Sequence, residues 1–199
     1  MLAAVLACWL GFALVTWQVL TAGPLARADE RLGARLARSA PDAVTERLAD
    51  LGNVPVALPV LLLAMVWAWR RGARWAPVAA GAAMALVPAL VVPLKDWTAR
   101  PGPLEPWAAG YFPSGHTATA LVAYGGAALL LGAWTRWAWP VVTAAGLVAA
   151  TVTGLLLRGF HWPLDVLGSV LLCLPLLCGV GWARRVDGVR AAARVGQGQ

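Results

Sequence analysis

Charged residues are scarce in this chain, and their scarcity narrows the class of protein at once. Asp, Glu, Lys and Arg make up 13% of the 199 residues, whereas 60% are hydrophobic. A soluble domain carries about 25% charged residues. Long apolar stretches with so few charges indicate an integral membrane protein, so we expect the lipid bilayer to be a partner of this chain.

Cysteine and histidine are also rare. Cys8, Cys173 and Cys178 all lie within apolar runs and show no C-x-x-C spacing. This pattern predicts small packing residues and no disulfide. The chain has two histidines, His116 and His161, and a closed metal site would need more ligands. We therefore expect no metal site and no cofactor.

What the chain has in abundance is apolar sequence, concentrated in six segments. They are roughly 1–22, 54–69, 73–94, 116–134, 137–157 and 164–183. A helix needs about 20 residues to cross about 30 Å of hydrocarbon. The sequence therefore predicts an all-α fold, an integral membrane bundle of six transmembrane helices. The first segment has no basic start and is too long for a signal peptide, so we expect it to be retained.

Residues 23–53 are polar by comparison, with apolar residues interleaved among charges at near-helical intervals. They predict an external amphipathic segment at the membrane surface. A solvated loop is the alternative for its middle, around Ser39-Ala40-Pro41. We expect residues 1–185 to form a single membrane-embedded domain and the polar residues 186–199 to form a disordered cytoplasmic tail.

The positive charges predict the orientation of the bundle. The net charge is +7, and the basic residues cluster at one set of segment ends: Arg70, Arg71, Arg74, Arg136, Arg184, Arg185, Arg190 and Arg194. The positive-inside rule places these ends in the cytoplasm, which explains the charge without a nucleic-acid partner. Residues 95–115 and 158–163 then share the outer side of the cell membrane.

Three polar motifs fall at that outer side. Pro113-Ser114-Gly115-His116 begins the fourth segment, where unpaired N–H groups and the helix dipole favour an anion. Ser114 suits an N-cap or a donor to phosphate, and His116 suits a general acid. A helix cap with an interfacial histidine is the alternative.

His161 and Asp165 begin the sixth segment, four residues apart and therefore on one helix face. A carboxylate that accepts from one imidazole nitrogen leaves the other as a nucleophile or base. A purely structural pair is the alternative. Lys95 and Arg100 add two cations at the end of the third segment, either for phosphate or for lipid headgroups.

In this order and at these segment ends, Pro113-Ser114-Gly115-His116 and His161-Trp162-Pro163-Leu164-Asp165 resemble the type 2 phosphatidic acid phosphatase superfamily. These are the lipid phosphate phosphatases, whose fold is shared with vanadium haloperoxidases. The resemblance implies hydrolysis of a lipid phosphomonoester or pyrophosphate through a phosphohistidine on His161, with Asp165 orienting it and His116 as acid. Ser114 and Gly115 would bind phosphate, together with three cations, Lys95, Arg100 and Arg158.

Two positions depart from the family pattern. Gly102 occupies the position of the arginine in the first motif, with Arg100 two residues earlier, and Leu155 occupies that of the third motif, with Arg158 three residues later. A catalytically silent lipid-phosphate-binding protein is therefore a second hypothesis. The many predicted spans argue against a third alternative, a vanadate-dependent haloperoxidase. The lack of paired broken helices argues against a fourth, a transporter.

Overall fold

The computed structural model describes residues 1–135 and 138–196, which form eight helices and no strand. The predicted cytoplasmic Arg136 lies outside the described residues. The helices are α1 (Leu2–Leu20), α2 (Pro24–Leu36), α3 (Asp42–Asp50), α4 (Val54–Arg70), α5 (Trp75–Thr98), α6 (Gly115–Leu131), α7 (Trp139–Arg158) and α8 (Pro163–Gly196). The all-α class predicted from the sequence is confirmed for this part of the chain.

Five stretches of the described chain are long and apolar enough to cross a membrane. They are Leu2–Leu20, Asp42–Arg70, Trp75–Thr98, Trp139–Arg158 and Pro163–Ala193. The protein is therefore a multi-pass membrane protein with a helical-bundle fold. The remaining predicted span corresponds to α6, whose 17 residues extend about 25 Å, somewhat less than the hydrocarbon thickness.

Helix α6 is the centre of the bundle. Eleven of its 17 residues are buried, and it packs against α4, α5, α7 and α8. Small side chains permit this close approach, since most of the buried residues in α6 are Ala, Gly or Thr. The N-terminal end of α6 lies beside the first turns of α8, to which Ser114 is hydrogen-bonded.

The polar segment at 23–53 forms two helices instead of an extended loop. The connection around Ser39 is irregular, and a short turn at 51–53 leads into α4. Helix α3 packs closely on α7, because Gly154 has no side chain: a Cβ there would lie 2.6 Å from the carbonyl oxygen of Thr45. The segment therefore lies against the ends of α7 and α8.

Most of the tail for which the sequence predicts disorder is helical in the structure. Helix α8 continues without interruption past Arg185 to Gly196, and residues 197–199 lie outside the described residues. The carboxylate of Asp187 accepts hydrogen bonds from the backbone N–H groups of Arg74, Trp75 and Ala76 at 2.9–3.2 Å. A polar composition suggested disorder, but Asp187 caps the first turn of α5 from another helix.

Asp187→Ala should therefore destabilise the protein by about 0.5–2 kcal/mol, because the α5 N–H groups lose their acceptor. Thermal unfolding of the purified protein in detergent measures this loss. The matched control is Asp96→Ala at an exposed position, which should leave the midpoint almost unchanged. Equal midpoints for the two variants would contradict a capping role for Asp187.

Candidate active site

The antiparallel helices bring the three polar motifs to one end of the bundle. Lys95 lies in the last turn of α5, Ser114 caps α6, and His161 and Asp165 lie at the start of α8. The arginines of the α4–α5 connection and of the second half of α8 lie at the other end. The three motifs therefore lie together, at the end of the bundle opposite these arginines.

His161 follows closely after a glycine in the left-handed conformation. Gly159 has φ of +80° and ends α7, and the Phe160 N–H donates to the Leu155 carbonyl at 2.9 Å. Glycine adopts this conformation without strain, which explains the residue at this point. Two residues later the chain reaches His161, just before Pro163 starts α8 at its first position.

The carboxylate of Asp165 fixes His161. Its Oδ2 lies 3.2 Å from His161 Nδ1 and accepts the Trp162 N–H at 2.9 Å. Asp165 is fully buried, and His161 is 6% exposed. The predicted pairing across one helical turn is thus present. With a proton on Nδ1 directed at the carboxylate, Nε2 retains its lone pair.

Ser114 joins the second motif to the same helix. Its Oγ accepts the Thr117 N–H at 3.3 Å, so the predicted N-cap is present. Its own N–H donates to the Asp165 carbonyl at 3.1 Å, and its carbonyl accepts from Ser169 Oγ at 2.7 Å. These bonds hold the N-terminus of α6 beside the first turns of α8.

A cavity of about 690 Å³ opens beside these residues between α4 and α5. Lys95, Gly115 and His116 line it at one end, and apolar side chains such as Leu58, Leu62, Met65 and Met84 line the rest. Lys95 Nζ donates to the Gly110 carbonyl at 2.5 Å. His116 is close enough to interact with the charges of His161 and Lys95. The polar end of an otherwise apolar cavity is thus the candidate active site.

The two predicted phosphate-binding arginines lie elsewhere. Arg100 is 5% exposed, and its Nη1 and Nη2 donate to Asp165 and Asp29, each at 2.6 Å. Arg158 Nε donates to Glu46 Oε1 at 3.0 Å on α3. Neither arginine lines the cavity described above. His161 and Ser114 do not line it either, so what sets the two arginines apart is that carboxylates occupy both of them.

Other side chains occupy the space around the two positions at which the family carries arginine. A Cβ at Gly102 would lie 2.6 Å from Cε1 of the Tyr111 ring, and Leu155 is fully buried. The Tyr111 ring centroid lies 5.7 Å from that of His161. Its hydroxyl donates to Glu105 at 2.6 Å. Burial and this bond raise the pKa of Tyr111 to about 12, so the phenol stays neutral beside His161.

A sequence profile of the PAP2 superfamily matches residues 76–187, which is more than half of the chain. The chain belongs to the PAP2 superfamily. The family resemblance seen in the motifs is thereby confirmed, and the matched region contains every proposed site residue. No curated protein sequence matches the chain significantly.

The fold of this PAP2 protein also matches a solved structure. That structure is described as the first transmembrane PAP2 type phosphatidylglycerolphosphate phosphatase from Bacillus subtilis. The TM-score is 0.77 at 21% identity, over 88% of this chain and 93% of the other. At this identity the likeness establishes a shared fold.

Lys95 and Arg158 should differ in their effects on catalysis. Lys95→Gln should lower kcat/KM about 10- to 100-fold, because a charged hydrogen bond to phosphate is worth about 1.5–3 kcal/mol. Arg158→Gln should stay within about 3-fold of wild type, because α3 carboxylates occupy its guanidinium. Phosphate release from a lipid phosphate in detergent measures both, and equal losses would place Arg158 on the substrate.

Proposed function

We propose that this PAP2 protein is a membrane lipid phosphatase that hydrolyses a lipid phosphomonoester or pyrophosphate through a phosphohistidine. The observation that carries the proposal is the placement of His116 and Lys95 at the polar end of an apolar cavity, with the charge of His161 in electrostatic range of His116. A nucleophile with an orienting carboxylate and a second histidine in electrostatic range suits a two-step transfer.

In the first step, His161 Nε2 attacks phosphorus and the bond to the leaving oxygen breaks. His116 protonates that oxygen, which leaves as the lipid alcohol or lipid monophosphate. In the second step, the now neutral His116 removes a proton from water, which attacks the phosphohistidine and releases inorganic phosphate. Asp165 holds the Nδ1–H of His161 throughout and stabilises the positive charge that develops on its ring.

The phosphoryl oxygens would be held by Lys95, Ser114 and the backbone N–H of Gly115. The N-terminus of α6 adds the partial positive charge of the helix dipole. Ser114 Oγ acts as an acceptor in both of its bonds to Thr117, so its own proton is able to point at an anion. No metal is required for these steps.

The shape of the cavity supports a lipid substrate. Its apolar length between α4 and α5 suits an acyl or isoprenoid chain, with the phosphate beside Lys95 and His116. Phosphatidic acid, phosphatidylglycerol phosphate and undecaprenyl pyrophosphate all have this form. Phosphatidylglycerol phosphate has additional support from the activity for which the structural relative is named.

We further propose six membrane crossings, namely the five long spans and the shorter helix α6, and an active site on the outer face. The reason is the charge asymmetry between the ends of the bundle. Arg70, Arg71 and Arg74 lie in or beside the α4–α5 connection, and Arg184, Arg185 and Arg190 lie on α8. Both groups lie away from the site, and the positive-inside rule makes that end cytoplasmic.

A catalytically silent or weak lipid-phosphate binder is the second candidate. It is favoured by the ion pairs of Arg100 and Arg158 with carboxylates, since an arginine that is already paired contributes less to phosphate affinity. A phosphate-release assay with the three lipids distinguishes the two candidates, because a binder retains the lipid without turnover.

Rapid quench with a labelled nitrophenyl phosphate should reveal acid-labile, base-stable label on the protein. His161→Gln should show no label and no turnover, because the attacking nitrogen is gone. His116→Gln should still become labelled, because nitrophenol leaves without an acid, and the label should persist because water is not activated. Turnover above a few percent in His161→Gln would contradict the mechanism.

Cysteine labelling should report the orientation. In a background with Cys8, Cys173 and Cys178 replaced by alanine, Ala109→Cys should react with an impermeant thiol reagent in intact cells. Gly188→Cys should react only after the cells are opened. Both positions are exposed, so the membrane decides the difference, and the reverse pattern would place the site in the cytoplasm.

A further inference from the structure

Asp29 is a buried carboxylate in a segment that otherwise carries its charges on the surface. It lies on α2 and is 6% exposed, whereas the side chain of its neighbour Glu30 is 50% exposed. A carboxylate is rarely buried unless it is paired. The contacts of Asp29 therefore indicate why it is inside.

Both oxygens of Asp29 contact the active-site helices. Oδ2 accepts from Arg100 Nη2 at 2.6 Å, and Oδ1 accepts from the backbone N–H of Leu164 at 2.8 Å. Leu164 is in the first turn of α8, one residue before Asp165. Asp29 thus caps the helix that carries the orienting carboxylate and also holds the guanidinium that pairs with it.

The result is a continuous buried chain. It runs from Asp29 to Arg100 at 2.6 Å, from Arg100 to Asp165 at 2.6 Å, and from Asp165 to His161 at 3.2 Å. The planar fork of arginine suits two carboxylates at once. The Trp162 ring lies over this guanidinium, with its centroid 5.6 Å from Arg100 Cζ, and covers the junction.

An arginine in this position is poorly suited to bind the substrate. To reach phosphate, Arg100 would have to break both contacts and leave two buried carboxylates without a cation, which is costly. Burial raises the pKa of Asp29, and the hydrogen bond and charge of Arg100 oppose that rise. Arg100 therefore compensates for two acidic groups already in the structure.

We propose that Asp29 and Arg100 are positioning residues that act on the nucleophile His161 through Asp165, and that helix α2 is thereby a part of the active site. This inference rests on the proposed function for its kinetic consequence. Asp29 fixes both the first turn of α8 and the fork of Arg100. Together they hold Asp165 in the orientation in which Oδ2 faces Nδ1.

The test compares three variants in the full-length protein. Asp29→Asn keeps an oxygen for the Leu164 N–H but loses the charge. Arg100→Lys keeps the charge but loses the fork. Asp96→Asn makes the same substitution at an exposed aspartate and is the matched control. For each variant, kcat, KM, the inhibition constant of inorganic phosphate and the thermal midpoint are measured with one lipid phosphate.

We expect Asp29→Asn and Arg100→Lys to lower kcat about 10- to 100-fold, as for other residues that orient a catalytic ligand. The inhibition constant of phosphate should stay within about 3-fold, because neither side chain binds the anion. Asp96→Asn should stay within about 2-fold throughout. The double variant Asp29→Asn/Arg100→Lys should resemble the worse single variant, because residues in one chain are not additive.

An unchanged kcat in Asp29→Asn would overturn the proposal. A phosphate inhibition constant that rises in proportion to the loss of kcat would also overturn it, because Arg100 would then be a phosphate ligand. If Asp29→Asn does not fold, Arg100→Lys carries the same comparison.

A second readout is independent of turnover. The chain has two histidines, so protein with ¹⁵N-labelled imidazoles in detergent gives two sets of ring signals, assigned with His161→Gln. Wild type should show His161 protonated on Nδ1, and Asp29→Asn should shift these signals or mix the tautomers. If the wild-type protein shows no turnover, the proposed function is refuted but the positioning role is not. The positioning role is then refuted if the His161 ring signals in Asp29→Asn are the same as in wild type.

Discussion

The buried carboxylate of Asp165 is the interaction on which the rest of the site depends. It accepts from Arg100, from the Trp162 N–H and, with a proton on Nδ1, from His161, while the backbone carbonyl of the same residue accepts from Ser114. Four elements thus meet at one residue with no exposed surface. They are the α5–α6 loop, the α7–α8 turn, α6 and α8. A buried charge of this kind is tolerable only when it is fully paired, so its partners are fixed together.

This requirement gives a physical account of the displaced arginine. Arg100 directly follows the left-handed residue Ala99 that ends α5, whereas Gly102 lies further along the loop beside Tyr111. The earlier position directs the guanidinium at Asp165 and Asp29. Tyr111 occupies the space next to Gly102 and places an aromatic ring near His161. Among the described residues that line the cavity, Lys95 is then the basic side chain at its polar end.

Much of this arrangement could be predicted from the sequence because it follows from local rules. Apolar runs of about 20 residues define spans, so the predicted segments agree with the long helices within a few residues, apart from the C-terminal end of α8, which extends to Gly196. A spacing of four placed His161 and Asp165 on one face, and the Pro-Ser-Gly start predicted the Ser114 cap. The order of the spans then brought the motifs to one end, since successive helices in a bundle are antiparallel.

The remainder depends on contacts between residues far apart in the chain, for which local patterns carry no signal. Asp29 and Asp187 look like ordinary surface charges in amphipathic or polar stretches. One is in fact buried against α8, and the other caps α5. Arg158 is near His161 in sequence, but its long side chain turns to α3, which the sequence did not place there. Whether such a charged residue lies at the surface or inside the protein therefore depends on its partner, which the local sequence does not reveal.

The position of α2 has a consequence for the boundaries of the active site. The region matched by the family profile begins at residue 76, so Asp29 lies outside it although Asp29 contacts Arg100 directly. The two-helix segment packs on α7 and α8, and the Arg100 and Asp165 side chains are almost fully buried where Asp29 meets them. Ion pairs strengthen as water is excluded. The segment between the first and second spans therefore supplies both a partner and the low dielectric in which that partner acts on His161.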